Sequence, residues 1–340
     1  MKNQRSLFEY EFHMEKMDKI GDPLIKMRDL IPWEKLFREP LENIFRAEKT
    51  AKGPGGRPAY DSVLMFKILI LQRTYGLSDE EMEYQINDRL SFQRFLNLTL
   101  SDNVPDARTI WLYREKLKEE NNFKKMFNKF QTFLEEKGLI AYKGVIVDAT
   151  FVEVPKQRND RDENKEIKEG KQPEEWSDKK SAHKDTDARW MKKDGKSYYG
   201  YKNHIKADKK SKLIVKYGVT DAKTHDSQVL GDLLDKKDSR HEIYGDSAYR
   251  SEKIEKILKR RRIRSRIHVK GYSGHRMTED QMAMNRKKSR TRARVEHIFG
   301  HMRHGIGDFI RSIGMIRAEV NIGMMNLTYN MERYLYLATR

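Results

Sequence analysis

Hydrophobic positions recur at helical spacing up to about residue 140 and change period at Gly144. The stretch AYDSVLMFKILILQRTYGL has a broad apolar face and ends at Gly76, which predicts a buried helix with a glycine stop. In SDEEMEYQINDRLSFQRFLNL, Ser78 and Glu81 have the spacing of a capping box, and Met82, Ile86 and Leu90 follow on one helical face. In VPDARTIWLYREKL, Pro105 or Asp106 opens a third helix with an apolar stripe of Ile110, Tyr113 and Leu117. Arg108, Thr109, Trp111 and Arg114 then face outward. Short helices joined by tight turns suit a helix-turn-helix reader of DNA, and equally an ordinary bundle or dimerisation surface.

From Gly144 the chain reads as strands and helices. GVIVDATFVEV is a strand, bent or hairpinned near Thr150. YYGYKNHIKAD and KLIVKYGVTDA are two more, around the turn-prone DKKSK. Asp226 caps a helix running to Leu234, HEIYGDSAY is a strand, SEKIEKILKRRR a helix and IRSRIHV a strand. A basic helical region with Val295, Ile298, Phe299 and Met302 on one face follows, and IGMMNLTYNMERYLYL closes the chain as a packing helix. The pattern predicts an α+β fold: an all-helical part over 1–140, then a mixed sheet flanked by helices over 141–340. Between Lys156 and Lys196, 24 of 41 residues are charged. Such a stretch cannot bury much, so it is expected to be an insertion or mobile loop, with Trp176 and Trp190 as its anchors.

Charge sharpens this picture. The 340 residues carry 70 Lys+Arg against 52 Asp+Glu, a net charge of +18. Residues 251–340 hold 21 basic and 8 acidic side chains, so this last quarter carries most of the excess. The densest tracts are KRRRIRSR (Lys259 to Arg266) and RKKSRTRAR (Arg286 to Arg294). Arginine predominates in both, and its planar fork suits phosphate. A concentrated basic face attracts a polyanion. Arg260, Arg261, Arg262, Lys287, Lys288, Arg290, Arg292 and Arg294 are therefore candidate DNA contacts, with Arg108, Thr109, Trp111 and Arg114 in the helical part. A solvated basic surface or an acidic protein partner is the plainer alternative. The chain has no Cys, which excludes disulfides, thiolate metal sites and a cysteine nucleophile. Its longest apolar run, Val63 to Leu71, is interrupted by Lys67 and is too short for a membrane span. The acidic residues near the start do not suit a signal peptide. An intracellular, soluble protein without membrane contact is expected.

Three carboxylates stand out. Asp148 lies inside the apolar strand VIVDAT, where an ionised group needs compensation. Asp246 ends the strand EIYGD. Glu296 lies on a helix, four residues after Arg292 and seven before Arg303. Each has an ordinary reading: a strand-end residue, a turn residue, a helix ion pair. Together, in a basic domain, they suit two hard divalent cations.

At these residues the chain resembles the DDE transposases of bacterial insertion sequences, in the insertion-sequence-five (IS-five) family. The resemblance is carried by GRPAYDSVLMFKILILQRTYGLSDEEMEYQINDRLSFQRFLNL and PDARTIWLYREKL in the helical part. In the second half VIVDATFVEVP, DTDARW, YYGYKNHIKAD, THDSQVL, YGDSAYRS and RARVEHIFGHMR follow in order. It implies an RNase H-like catalytic domain with Asp148, Asp246 and Glu296 as catalytic and metal-binding triad, and two Mg²⁺ or Mn²⁺ ions. It further implies a helical part that binds terminal inverted repeats, a homodimer acting on paired double-stranded DNA ends and target DNA, and a cytoplasmic, nucleoid-associated bacterial enzyme. Related enzymes carry a Tyr-x2-Arg-x3-Glu-x6-Lys pattern. Arg292 and Glu296 fit it, while Ser289 stands at the Tyr position and Arg303 at the Lys position. The expected activity is DNA cleavage and strand transfer. A metal-dependent nuclease of the same fold and a non-catalytic DNA-binding protein are the alternatives. His225 and Asp226 in THDSQ are secondary, Asp226 as a helix cap, and His204 and His297 are expected to be structural.

Overall fold

In a computed structural model, residues 9–49, 59–119, 122–193, 195–271 and 276–339 are described. The helical part contains α1 (Glu9–Ile20), α2 (Pro23–Leu30), α3 (Trp33–Lys49), α4 (Ser62–Tyr75), α5 (Asp79–Asp88), α6 (Leu90–Leu96), α7 (Ala107–Lys116) and α8 (Asn122–Glu136). The start and stop signals work as expected. The Asp61 carboxylate accepts from Leu64 N at 2.8 Å and opens α4, and Gly76, at φ +66°, ends it. Ser78 and Glu81 form the capping box of α5. Asp106 caps α7 by accepting from Thr109 N at 2.7 Å. Lys67, the charge inside the apolar run, is buried on α4 with its ammonium 5.6 Å from the Trp33 ring and 5.7 Å from Phe95. Aromatic faces thus replace water around the cation.

The sheet starts with β1 (Val145–Glu153), one continuous strand with no hairpin at Thr150. Next come α9 (Arg161–Lys168), α10 (Asp178–His183), β2 (Arg189–Lys193), β3 (Lys196–Asp208) and β4 (Ile214–Asp221). They are followed by α11 (Asp226–Leu233), β5 (Glu242–Tyr244), α12 (Glu252–Arg260), β6 (Arg264–Ser265), α13 (Glu279–Arg292), α14 (Arg294–His301) and α15 (Met315–Ala338). β3 pairs antiparallel with β1, β4 and β2, while β5 lies parallel to β1 and β6 parallel to β5. A helical first part followed by a mixed sheet flanked by helices is the α+β architecture expected from the sequence. Two of its strands are shorter than their sequence stretches. HEIYGDSAY pairs only over Glu242–Tyr244, then turns at Ser247–Tyr249, and IRSRIHV pairs over two residues.

Alternation along β1 sends its residues to two cores. Ile146 and Val152 join one continuous core with the first helices, α8 and α15. Val145 and Val147 face a smaller core of α11 and α12. The closing helix is fixed by two asparagines. Asn326 exchanges hydrogen bonds with Asn203 of β3 (2.7 and 3.0 Å), and Asn330 pairs with the backbone of Ile214 (2.8 Å each way). Arg317 of α15 reaches Glu115 of α7 with two bonds of 2.8 Å, so α15 ties the helical part to the sheet.

The described residues of the charged segment 156–196, expected to be an insertion or mobile loop, carry two helices and a strand. Asp160 and Glu163 form a capping box on α9, Trp176 is buried with its Nε1 donating to Glu163 at 2.7 Å, and β2 extends the sheet. Trp190 stays half exposed against Tyr199. The anchor that composition could not reveal is Asp185, 2% exposed. It accepts from the Tyr201 hydroxyl (2.8 Å), Asp187 N (2.9 Å), Ala188 N (3.0 Å) and Gly314 N (3.1 Å). One carboxylate thus clamps the segment to β3 and to the start of α15. Gly200, at φ +147°, lets β3 cross this junction: a Cβ there would lie 2.3 Å from the Val152 carbonyl oxygen.

Candidate active site

Parallel pairing of β1 and β5 sets Val145 opposite Ile243 and Ile146 opposite Tyr244. Followed two residues past the end of β5, that register carries Asp246 toward the level of Asp148 on β1, although 98 positions separate them in the chain. Asp246 is fixed as the cap of the single turn Ser247–Tyr249, accepting from Ala248 N at 2.8 Å. Asp148 accepts from Ala149 N at 2.9 Å.

Arg292, the last residue of α13, closes the arrangement. Its Nη1 donates to Asp148 Oδ2 at 2.7 Å and its Nη2 to Glu296 Oε1, one turn on in α14, at 3.3 Å. Arg292 therefore bridges two of the three carboxylates, while the Asp246 charge acts on Asp148. The Asp148 side chain is 14% exposed, and loss of water pushes its pKa up to about 6. The nearby Asp246 charge pushes the same way, and Arg292 only partly opposes them. Tyr249 lies beneath, its hydroxyl buried without a hydrogen-bond partner, and burial beside Asp226, Asp148 and Asp246 keeps the phenol neutral.

An all-oxygen set of ionisable groups suits hard divalent cations. Among the described residues no three metal-ligating side chains form a cluster, and Arg292 bonds both Asp148 and Glu296. Asp148 and Asp246 nevertheless fit such an ion. The Asp246 charge acts on Asp148, and the raised pKa of Asp148 marks a largely desolvated carboxylate that the Ala149 N–H and one guanidinium do not fully compensate.

His268 is a neighbour that sequence reasoning passed over. It follows β6 as Asp246 follows β5, and its N–H donates to Gly245 O at 3.1 Å. Its Nε2 lies 3.3 Å from Ser289 Oγ. Burial, then the Arg292 and Lys288 charges, lower its pKa, with Asp246 opposing. IRSRIHV reads as a strand in sequence, but nothing in that pattern sets His268 near Asp246.

The cationic candidates divide by what they touch. Arg260, Arg262, Lys287 and Arg290 are exposed and Arg261 is half-buried. Arg294 is exposed and donates to Lys209 O at 2.7 Å, and Arg303 is exposed beside Asp308 at 3.2 Å. Lys288 differs from its neighbours: it is buried, and its ammonium donates to Ile267 O at 2.9 Å, pinning α13 to the segment after β6. In the helical part Arg108 and Trp111 are exposed and Thr109 is half-buried. Arg114 is committed inward, bonding Asp79 at 2.8 and 2.6 Å and Gln72 at 3.0 Å. The cap of α11 is His225, whose Nδ1 accepts from Ser227 N at 3.3 Å, and not Asp226. Asp226 is the first helical residue and pairs with Lys202 at 2.9 Å. His204 is fully buried, 2.9 Å from Thr220 Oγ1.

An aspartate on β1, a second just beyond β5 and a glutamate on α14, in a chain of net charge +18, make an arrangement compatible with chemistry on a polyanion. Comparison with known families makes this specific. Residues 140–331 match the family model described as "Transposase DDE domain", and residues 12–116 match one described as "Transposase domain (DUF772)". The chain belongs to the transposase DDE-domain family, and is a DNA transposase. Among solved structures, the cryo-EM structure of a piggyBac transposase synaptic complex with hairpin DNA is similar to it at 11% identity and a TM-score of 0.47, over 95% of this chain and 76% of that one. No helix among the described residues is long and apolar enough to cross a membrane.

Proposed function

We propose that this transposase cleaves the ends of a bacterial insertion sequence of the IS-five family and joins the freed 3′-hydroxyls to target DNA, with Asp148, Asp246 and Glu296 as its catalytic triad. The observation that carries the reading is the β1–β5 register, which makes Asp148 and Asp246 neighbours, together with the Arg292 bridge from Asp148 to Glu296. Asp148 and Asp246 would hold Mg²⁺ or Mn²⁺, with Glu296 completing the oxygen set. Bound there, two such ions supply activation of the attacking oxygen and stabilisation of the leaving oxygen of an in-line displacement.

The chain's own residues do the rest. The capped turn at Asp246 and the strand at Asp148 hold the carboxylates rigidly, so little reorganisation accompanies substrate binding. Exposed Lys287, Arg290, Arg294 and Arg303 neutralise backbone phosphate and position the duplex without reading its sequence. Arg108, Thr109 and Trp111 of α7 are the candidate contacts to the terminal inverted repeats. The reaction on paired ends calls for a homodimer, and the substrate for a cytoplasmic, nucleoid-associated enzyme. The test is a strand-transfer assay with duplexes carrying the ends of the element that encodes the chain. Joined products that require Mg²⁺ and vanish in Asp148→Asn support the reading. Cut but unjoined ends point to a nuclease, retarded but uncut DNA to a binding protein, and cleavage retained in Asp148→Asn removes that residue from the site.

A further inference from the structure

Arg292 occupies a place at odds with a residue whose only task is to hold DNA. Its side chain is 25% exposed, its Nε is buried without a hydrogen-bond partner, and both Nη atoms point at carboxylates. The shorter of its two carboxylate bonds, 2.7 Å, goes to Asp148 Oδ2, on a side chain 14% exposed. The Glu296 side chain, 64% exposed, is drawn toward the same guanidinium. A divalent cation shared with Glu296 needs the Asp148 oxygen that Arg292 holds, and two cations at one carboxylate repel each other. Arg292 is the last residue of α13, and the single residue between it and α14, Ala293, keeps right-handed helical dihedrals (φ −52°, ψ −17°). Outside lie the exposed Lys287, Arg290 and Arg294 of the same basic tract.

We propose that Arg292 is an internal counter-ion of the metal-free site: it holds Asp148 and Glu296 until divalent cations take those carboxylates, and is thereby released to a DNA phosphate. The inference rests on the reading of these carboxylates as the metal site. Its consequence is a coupling. Metal frees a DNA-binding fork, so metal tightens DNA binding, and by reciprocity DNA tightens metal binding. A site loaded without DNA works against the ion pair, which favours assembly of metal and DNA together.

The test uses the full chain, stripped of metal with EDTA and labelled with ¹⁵N-arginine. The Arg292 side-chain resonance is assigned by its loss in Arg292→Lys and followed during a Mg²⁺ titration, with calorimetry in parallel. The expected result is a shift of that resonance with the same midpoint as Mg²⁺ binding. Ca²⁺ should then tighten binding of a duplex of arbitrary sequence to the native protein by about tenfold, and far less in Arg292→Gln. Mg²⁺ binding with an unmoved Arg292 resonance overturns this inference and leaves the metal site standing. No Mg²⁺ binding by calorimetry, with native protein and Asp148→Asn indistinguishable, overturns the metal-site reading and this inference with it. Tighter Mg²⁺ binding in Arg292→Gln is expected of any nearby cation, so the resonance decides.

Discussion

Replacing Asp148 by Asn should abolish cleavage and make the metal-free protein more stable. The Asp148 pKa rises from an ordinary 3.8 to about 6 on folding, chiefly because its carboxylate is buried. Between those values the folded chain binds more protons than the unfolded one, so stability falls as pH rises through that window. The loss is complete above about pH 6 and amounts to about 3 kcal/mol. Asn carries no charge to bury, keeps an acceptor oxygen for Arg292, and removes the repulsion from Asp246. Asp148→Asn should therefore gain up to about 3 kcal/mol over the native chain near pH 7, or several degrees in Tm, and nothing near pH 4. Thermal unfolding in EDTA, followed by circular dichroism across this pH range, measures the difference. A difference that does not change with pH, or an Asn variant less stable near pH 7 than near pH 4 relative to the native chain, refutes the argument that an under-compensated buried anion sits at this site.

Four further outcomes follow from other contacts. Asp185→Ala strips the acceptor from Tyr201 and from three backbone N–H groups; it should cost about 3–5 kcal/mol in denaturant unfolding and expose the 156–196 segment to proteolysis. Glu115, held at about 2 mainly by Arg317, contributes stability that is present above its ordinary pKa and lost as pH falls toward 2. Because Arg317 is partly exposed, Glu115→Gln should cost about 1–2 kcal/mol at neutral pH, and its acid-unfolding curve should lie closer to that of the native chain as pH falls. Lys287→Ala should weaken duplex binding and reduce the salt slope by about 1. Lys288→Ala, which removes a buried backbone anchor, should lower Tm and leave that slope unchanged.

Some of this protein was legible along the chain. Helix caps such as Ser78 with Glu81 are local devices, and their partners lie three residues away. The Gly76 stop, the change of period at Gly144 and the basic tracts are local too. The three carboxylates drew notice singly, because a charge inside an apolar strand and one at a strand end are costly enough to need a reason.

Tertiary structure decided what those residues do. Pairing register belongs to two strands at once, so only the parallel β1–β5 contact could make Asp148 a neighbour of Asp246. The same holds for Arg292, whose local partner is Glu296 but whose shorter bond goes to Asp148, 144 residues away. Lys287 and Lys288 read alike in sequence. One is exposed and the other buried because a helix gives consecutive residues different faces, and only packing selects which face is covered. The 156–196 segment misled for the same reason. Its composition predicts solvation, yet the buried carboxylate of Asp185 ties it to Tyr201 on β3 and to Gly314 at the start of α15. Local free energies can be read from neighbours in sequence; burial and long-range pairing exist only once the chain has closed on itself.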